Sequence, residues 1–403
     1  MTLISSPAPG SGLLDRLAAG AWLTPGRIGA WASGLVALYL VTLTAWALTG
    51  SWFVDAAGAL TPTDFVSFWS AGHLALEGKA DTAYDFATLQ AVHALALGHP
   101  VIPQYYWFYP PIFLLLVAPL ALLPYVLALL VWVGCTLALY LGALRRIFPH
   151  RLTVVAALAA PTACANLITA QNGFLTAALL GGGLVCLETQ PLLAGFLLGL
   201  LSIKPQLALL IPVVLLGAGR FRVAAAAAVT VVALAALSTA ALGLDSWSAF
   251  LGAPHHANAT LLQHSTVGLY KIQSVYAALR VLGVDSSLAA AGQALASLAV
   301  ATIVLRLWRR SLPYALKAAA LAAGTLLVTP YAMIYDLALL AVAMAFLARD
   351  GAATGFQPWE KPSMVAVALL PILFPWISAI GLVTEVAVLA LVLRRAAPAE
   401  API

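Results

Sequence analysis

The sequence predicts an all-α, polytopic integral membrane protein, and three observations carry that reading. Of 403 residues, 63% are hydrophobic and only 8% charged, where a soluble domain carries roughly 25% charged residues. The mean hydropathy is +1.01. The apolar residues fall in long Leu/Ala/Val runs, not in the short alternating segments of a barrel. Backbone N–H and C=O groups in lipid must be satisfied within their own segment, so such runs cross as helices. The net charge of +5 sits in ones and twos of Lys and Arg at run ends. That is the pattern of orientation signals, and it excludes a nucleic-acid surface. Cys135, Cys164 and Cys186 lie far apart in apolar runs and read as small buried apolar residues, not a disulfide framework or metal site.

In chain order, residues 1–27 read as a short, partly disordered cytoplasmic tail. The first span, about 28–48, carries Trp31 and Trp46 near its ends as interface anchors and reads as a retained signal anchor. A large first outer loop, 50–109, follows. It holds Asp55, Asp64, Glu77, Asp81 and Asp85 against a single basic residue, Lys79. Within it, Phe65, Phe68, Trp69, Gly72 and Leu76 recur at helical spacing, while Ser67, Ser70, His73 and Glu77 fall elsewhere. That pattern predicts a helix lying in the membrane interface, with a second over Thr82–Leu97. Tyr105 to Tyr109 form an aromatic belt at re-entry.

Residues 111–144 are too long for one straight crossing and short for two. Pro119 and Pro124 mark breaks, so the segment reads as one kinked crossing or a short hairpin. Further apolar runs lie at about 152–168, 172–187, 191–203, 205–218, 222–242, 286–308, 313–329, 336–348, 363–379 and 381–395. Several are short enough to be half-crossings or tilted pairs, giving roughly 10–13 spans. A second large outer loop occupies 243–285, and 396–403 form a cytoplasmic C-terminal tail.

With the N-terminus inside and 111–144 as one net crossing, the outside holds Lys79, Lys204, Lys271 and Arg280. The other fifteen of the 19 Lys and Arg residues then lie inside, a strong positive-inside bias. The same parity puts the 50–109 loop, Gln171-Asn172, Lys204-Pro205-Gln206, the 243–285 loop and Tyr331 to Asp336 on one outer face. Polar residues converging there point to a single outward-facing site.

Asp64-Phe65, Phe68-Trp69 and Ala71-Gly72, then Gly78, Tyr84-Asp85 and Tyr109-Pro110-Pro111, make an ordered set. With Leu114 to Pro124, Gln171-Asn172 and Lys204-Pro205, it resembles glycosyltransferase family 87 over most of residues 50–345. The resemblance implies a GT-C-like bundle in the cytoplasmic (inner) membrane, with its active site on the extracytoplasmic face. It implies a polyprenyl-phosphate-linked sugar as donor, typically mannose, a lipid-linked or cell-envelope glycan as acceptor, and no further cofactor. It also implies inverting transfer with an acidic general base in the first outer loop, here Asp64. Some relatives carry a His pair late in the chain. Here Thr329-Pro330 is followed by Tyr335-Asp336, so that role is sought at His255, His256 or His264.

Each candidate has a plainer alternative. Asp64 precedes a helix and serves equally well as its N-cap. Lys204, an isolated cation between two apolar half-spans, suits a donor phosphate or snorkels from a span end. Lys271 and Arg280 are further phosphate candidates in a loop where solvated charges are the norm. His255, His256 and His264 offer sugar or phosphate hydrogen bonds, and fall short of the four placed ligands of a zinc site. Tyr84, Asp85 and Tyr109 would line a sugar pocket or simply fold the loop. Gln171, Asn172, Tyr335 and Asp336 sit at outer span ends, and Asp336 requires a partner, Lys204 or Lys271. Glu188, Asp350 and Glu360 fall inside and take no role.

A transporter or flippase for a lipid-linked sugar is the competing class. Transporters show inverted repeats with helices broken at the midplane. No internal repeat is found here, and the polar residues gather at one face, which favours an enzyme.

Overall fold

The computed structural model describes residues 12–101, 105–257 and 266–397. Among them the chain is helical apart from one small hairpin. A short helix α1 (Leu13–Ala18) lies within the expected tail, and α2 (Pro25–Leu48) follows. Pro25 starts α2 where a missing N–H costs nothing, and Thr24 Oγ1 accepts from the Arg27 N–H (3.3 Å). Ala32 is its one buried residue, so α2 sits at the periphery with apolar faces turned outward.

The first outer loop opens with β1 (Ser51–Trp52) and β2 (Val54–Asp55), then α3 (Phe65–Leu76), a 3-10 turn over Ala80–Tyr84 and α4 (Phe86–Leu97). α3 is not the half-exposed interfacial helix that its periodicity predicts. Ser67 and Ser70 are as buried as Phe65 and Phe68. The cover comes from residues far along the chain. Trp107, Phe113 and Trp132 pack around Phe68 with ring centroids 5.2–6.1 Å away. Trp69 Nε1 donates to the Leu123 carbonyl (3.0 Å). Gly72 lies so close to the Val117 carbonyl that a Cβ there would be 2.6 Å from its oxygen.

Residues 111–144 resolve into α5 (Pro111–Val117), a 3-10 turn over Ala118–Leu122, a break at Leu123-Pro124, and α6 (Tyr125–Ile147). Only α6 is long enough to cross, which fits one net crossing with a short arm folded onto α3.

α7 (Leu152–Ala159) and α8 (Pro161–Thr169) meet at a 62° bend. Next come α9 (Gly173–Cys186), α10 (Pro191–Gly199), a broken stretch around Lys204, α11 (Leu210–Gly217) and α12 (Phe221–Leu242). The second large loop contains α13 (Leu244–Ala257), α14 (Thr266–Lys271) and α15 (Val275–Val281). α16 (Ser286–Arg309) and α17 (Tyr314–Leu327) follow. A 3-10 turn over Ile334–Leu339 runs into α18 (Leu340–Thr354), then α19 (Glu360–Leu369) and α20 (Ile380–Ala396).

Among the described residues, five segments are long and apolar enough to cross alone: α2, α6, α12, α16 and Ile334–Thr354. The bent α7–α8 pair makes a sixth. The roughly 10–13 spans expected are approached only by counting shorter helices such as α9 and α17. Each has 14 residues, about 21 Å against a hydrocarbon core of about 30 Å. Both are buried almost throughout and form the centre of the bundle with α18 and α20. Toward the edge of the bundle, small residues bring α10 onto α12: Gly195 and Gly199 lie directly on it near Ala226 and Thr230. Of the cysteines, Cys186 is buried and Cys164 half-buried. Cys135 is exposed on the outward side of α6, which corrects its reading as a core residue.

Candidate active site

The turn between α8 and α9 docks on the start of α3. Ala170 takes a left-handed conformation (φ 52°), and its carbonyl accepts from Trp132 Nε1 (3.1 Å). The Asp64 N–H donates to the Thr169 carbonyl (3.1 Å). Gln171 and Asn172 are thereby carried to the acidic end of the first outer loop.

The Gln171 amide is fixed from both sides. Its Oε1 accepts from the Tyr109 hydroxyl (3.1 Å) and the Asn172 N–H (3.0 Å). Its Nε2 therefore faces Asp64 and donates to Oδ2 (3.2 Å). Asp64 precedes α3 with helical dihedrals (φ −57°, ψ −21°), and its side chain makes no capping bond. The N-cap reading is thus corrected: the carboxylate points to Gln171, and Oδ1 makes no hydrogen bond among the described residues. Burial raises the Asp64 carboxyl above the usual carboxylate range. The Gln171 amide and the charges of Lys271 and Lys204 pull it back down.

Beside this line lies a buried ion pair. Lys204 falls in the break before Pro205, where the helix cannot continue. Its Nζ meets Asp336 Oδ1 (2.6 Å) and Oδ2 (2.8 Å) and Asn172 Oδ1 (3.3 Å). Lys204 is 2% exposed and Asp336 0%. Asp336 Oδ2 also accepts from the Met333 N–H (3.0 Å), and the ammonium lies 4.7 Å from the centre of the Tyr335 ring. Gln171 and Asn172, adjacent in sequence, thus tie Asp64 and Tyr109 on one side to Lys204 and Asp336 on the other. Lys204 is the partner that Asp336 required. Its charge is engaged, so it is not the free phosphate cation expected.

Lys271 is different. It is exposed, has no ion pair or side-chain hydrogen bond among the described residues, and acts electrostatically on Asp64. It ends α14, which is tied to the ion-pair segment by the Ile272–Met333 bridge and by the Gln273 N–H on the Ala332 carbonyl (2.6 Å).

Other candidates stand apart. Asp85 is exposed and caps α4, Oδ1 accepting from the Thr88 N–H (2.9 Å) and hydroxyl (2.7 Å). Tyr84 donates to the Tyr109 carbonyl (2.8 Å) and so supports the site from behind. Arg280 donates to the Val284 carbonyl (2.9 Å), closing the turn after α15. His255 and His256 belong to α13, but their side chains lie outside the described residues, as does His264 entirely. No three His, Cys, Asp or Glu side chains gather as a metal site among the described residues.

Gln273 and Glu385 are among the buried polar residues that escaped the sequence reading. Gln273 is fully buried and holds α14 against α20 by accepting from the Gly381 N–H (2.8 Å). Glu385, also fully buried, has neither carboxyl oxygen partnered among the described residues. A lone acid in the last apolar run was a visible signal; Gln273, in a loop, gave none.

The arrangement offers a carboxylate with one oxygen held by Gln171 and the other without a hydrogen bond among the described residues, within electrostatic reach of the exposed Lys271 ammonium. Such a pair can accept a proton from a hydroxyl while facing an anionic group. A family model described as glycosyltransferase family 87 matches residues 107–330. No curated protein and no solved structure matches the chain.

Proposed function

Because the chain belongs to glycosyltransferase family 87, we propose that it moves a hexosyl residue, mannosyl by preference, from a polyprenyl-phosphate carrier to a lipid-linked or envelope-glycan hydroxyl. The membrane is the cytoplasmic (inner) membrane, and transfer takes place on its extracytoplasmic face. The acceptor oxygen attacks the anomeric carbon as the bond from that carbon to the phosphate oxygen breaks. The acceptor's proton passes to Asp64, and polyprenyl phosphate leaves.

The observation that carries this reading is the state of Asp64. Its carboxylate stands at a helix start without capping it. Gln171 holds it through one oxygen, and burial raises it toward the range in which a general base is effective. Lys271 is the cation open to the donor phosphate, where charge develops as the bond breaks. Lys204 and Asp336 form the rigid floor behind it. Tyr109 and Tyr335, both partly buried, stand against Gln171 and Lys204, and aromatic faces suit a sugar ring.

The test is transfer by the full-length protein in nanodiscs, given polyprenyl-phosphate-mannose and an envelope-lipid acceptor extract. Wild-type transfer that Asp64→Asn abolishes, with donor binding intact, supports the assignment. Equal transfer by both proteins removes Asp64 from the role of base. Carrier binding without transfer, across several carrier sugars, favours a transporter instead.

A further inference from the structure

Two candidate spans, α2 and Ile334–Thr354, join α7 and α19 around an apolar cavity of about 310 Å³. Its wall is hydrocarbon almost throughout, with Ile28, Ala156, Ala341 and Val365 on its four sides. One end reaches Leu337, next to Asp336, and Thr384, next to Glu385. The other end reaches Phe356, His150 and Lys361. Between Leu337 and Ala352 it follows helix for roughly 22 Å at about 1.5 Å per residue.

The basic end is built. The stem of Lys361 packs against Gly20, where a Cβ would be 3.1 Å from the Lys361 Cβ. Gly20 adopts φ +60°, a conformation that favours the residue lacking a side chain. The Lys361 ammonium stands 4.9 Å from the centre of the Phe356 ring. The neighbouring carboxylates are already taken. Arg395 binds Asp350, and its Nη1 meets Glu360 Oε2 (2.5 Å). Lys361 therefore meets no carboxylate among the described residues. Arg27 and Arg151, both exposed, flank the segments that form this end.

We propose that this cavity holds one acyl chain of an anionic phospholipid, whose phosphate pairs with Lys361. A sugar or nucleotide would leave its polar groups unpaired against such a wall, whereas a hydrocarbon chain matches it. Charge decides which lipid. A donor carrier's phosphate belongs at Asp64 and Lys271, at the far end, and would leave Lys361 without an anion. A phospholipid from the leaflet facing the basic end supplies chain and anion together, and basic residues there attract anionic headgroups. The chain would back the Ile334–Leu339 turn that carries Asp336. The exclusion of the donor carrier rests on the donor site proposed above; the lipid preference itself is read without the transfer reaction.

The test uses the delipidated full-length protein with phosphatidylglycerol or phosphatidylcholine of identical chains, read by native mass spectrometry and thermal denaturation. One phosphatidylglycerol should be retained about fivefold more strongly than phosphatidylcholine and should raise the midpoint. Lys361→Gln should erase that preference in a folded protein. Ala341→Phe, filling the wall, should reduce retention of both lipids. Equal retention of the two lipids by the wild type would overturn the proposal, as would a preference unchanged by Lys361→Gln. So would one-for-one displacement of phosphatidylglycerol by polyprenyl phosphate, which would give the cavity to the donor's chain.

Discussion

Asp64 and Gln171, 107 positions apart, are joined by one 3.2 Å hydrogen bond from the amide Nε2 to the carboxylate Oδ2. The bond orients a carboxylate that has no cap to hold it and keeps a buried acid more ionised than burial alone would allow. It joins two segments whose polar residues would otherwise be span ends with separate local roles.

A pH profile reads this relationship directly. As general base Asp64 must be ionised, so kcat/KM rises with pH through its pKa. Burial sets that limb above the usual carboxylate range, and the Gln171 bond opposes burial. Gln171→Leu removes a bond that favours the charged form, so the limb moves to higher pH and the rate at neutral pH falls, by roughly 10–100-fold. A limb that stays in place while the rate falls would give Gln171 a purely structural role.

Donor affinity separates the two lysines. Lys271 is exposed and without an ion pair among the described residues, while Lys204 is locked to Asp336. Lys271→Gln should weaken binding of a polyprenyl phosphate by about tenfold, the loss of one charge-assisted contact, with the fold intact. It should also move the base limb upward, because the lost charge favoured ionised Asp64. Unchanged affinity in Lys271→Gln, measured by titration in nanodiscs, would exclude it from the donor site.

Legibility in the sequence followed the physics of each feature. α2, α6, α12 and α16 are readable from apolar length because lipid forbids other backbone solutions. Gln171, Asn172, Lys204 and Asp336 could be picked out because polar groups in apolar runs are costly. That Asp336 needs a cation was readable, but the choice of Lys204 over Lys271 was not, since Lys204 meets Asp336 across 132 positions. The enclosure of α3 was hidden for the same reason: its cover comes from Trp107, Phe113 and Trp132. Asp64 and Asp85 look alike in sequence, each an acid just before an apolar helix. Which one caps is decided by Gln171, a residue local patterns cannot see.

That contrast makes its own prediction. Asp85 bonds both the N–H and the hydroxyl of Thr88, so Asp85→Ala should cost about 0.5–2 kcal/mol of stability and leave transfer unaltered. These bonds hold the Asp85 carboxyl below its ordinary range. Its contribution is therefore present above the unfolded pKa and is lost as pH falls through the folded one. Loss of transfer in a folded Asp85→Ala protein would move it from helix cap to substrate contact.

The ion pair under the site poses the last question, whether Lys204 and Asp336 serve the fold or the reaction. Removing one partner leaves a buried charge uncompensated, at a cost of about 3–5 kcal/mol. Lys204→Met and Asp336→Leu should each denature well below the wild type. The double variant removes both charges together and should recover most of the lost stability, because an apolar pair of similar volume often replaces a buried ion pair without penalty. Transfer then discriminates. Asn172 loses its Lys204 contact in the double variant, and the positive field that Lys204 directs at Asp64 is gone. A folded double variant that binds donor but transfers at least tenfold more slowly would place the pair in the catalytic machinery. One that transfers at the wild-type rate would leave the pair as a strut and assign the work to Asp64, Gln171 and Lys271.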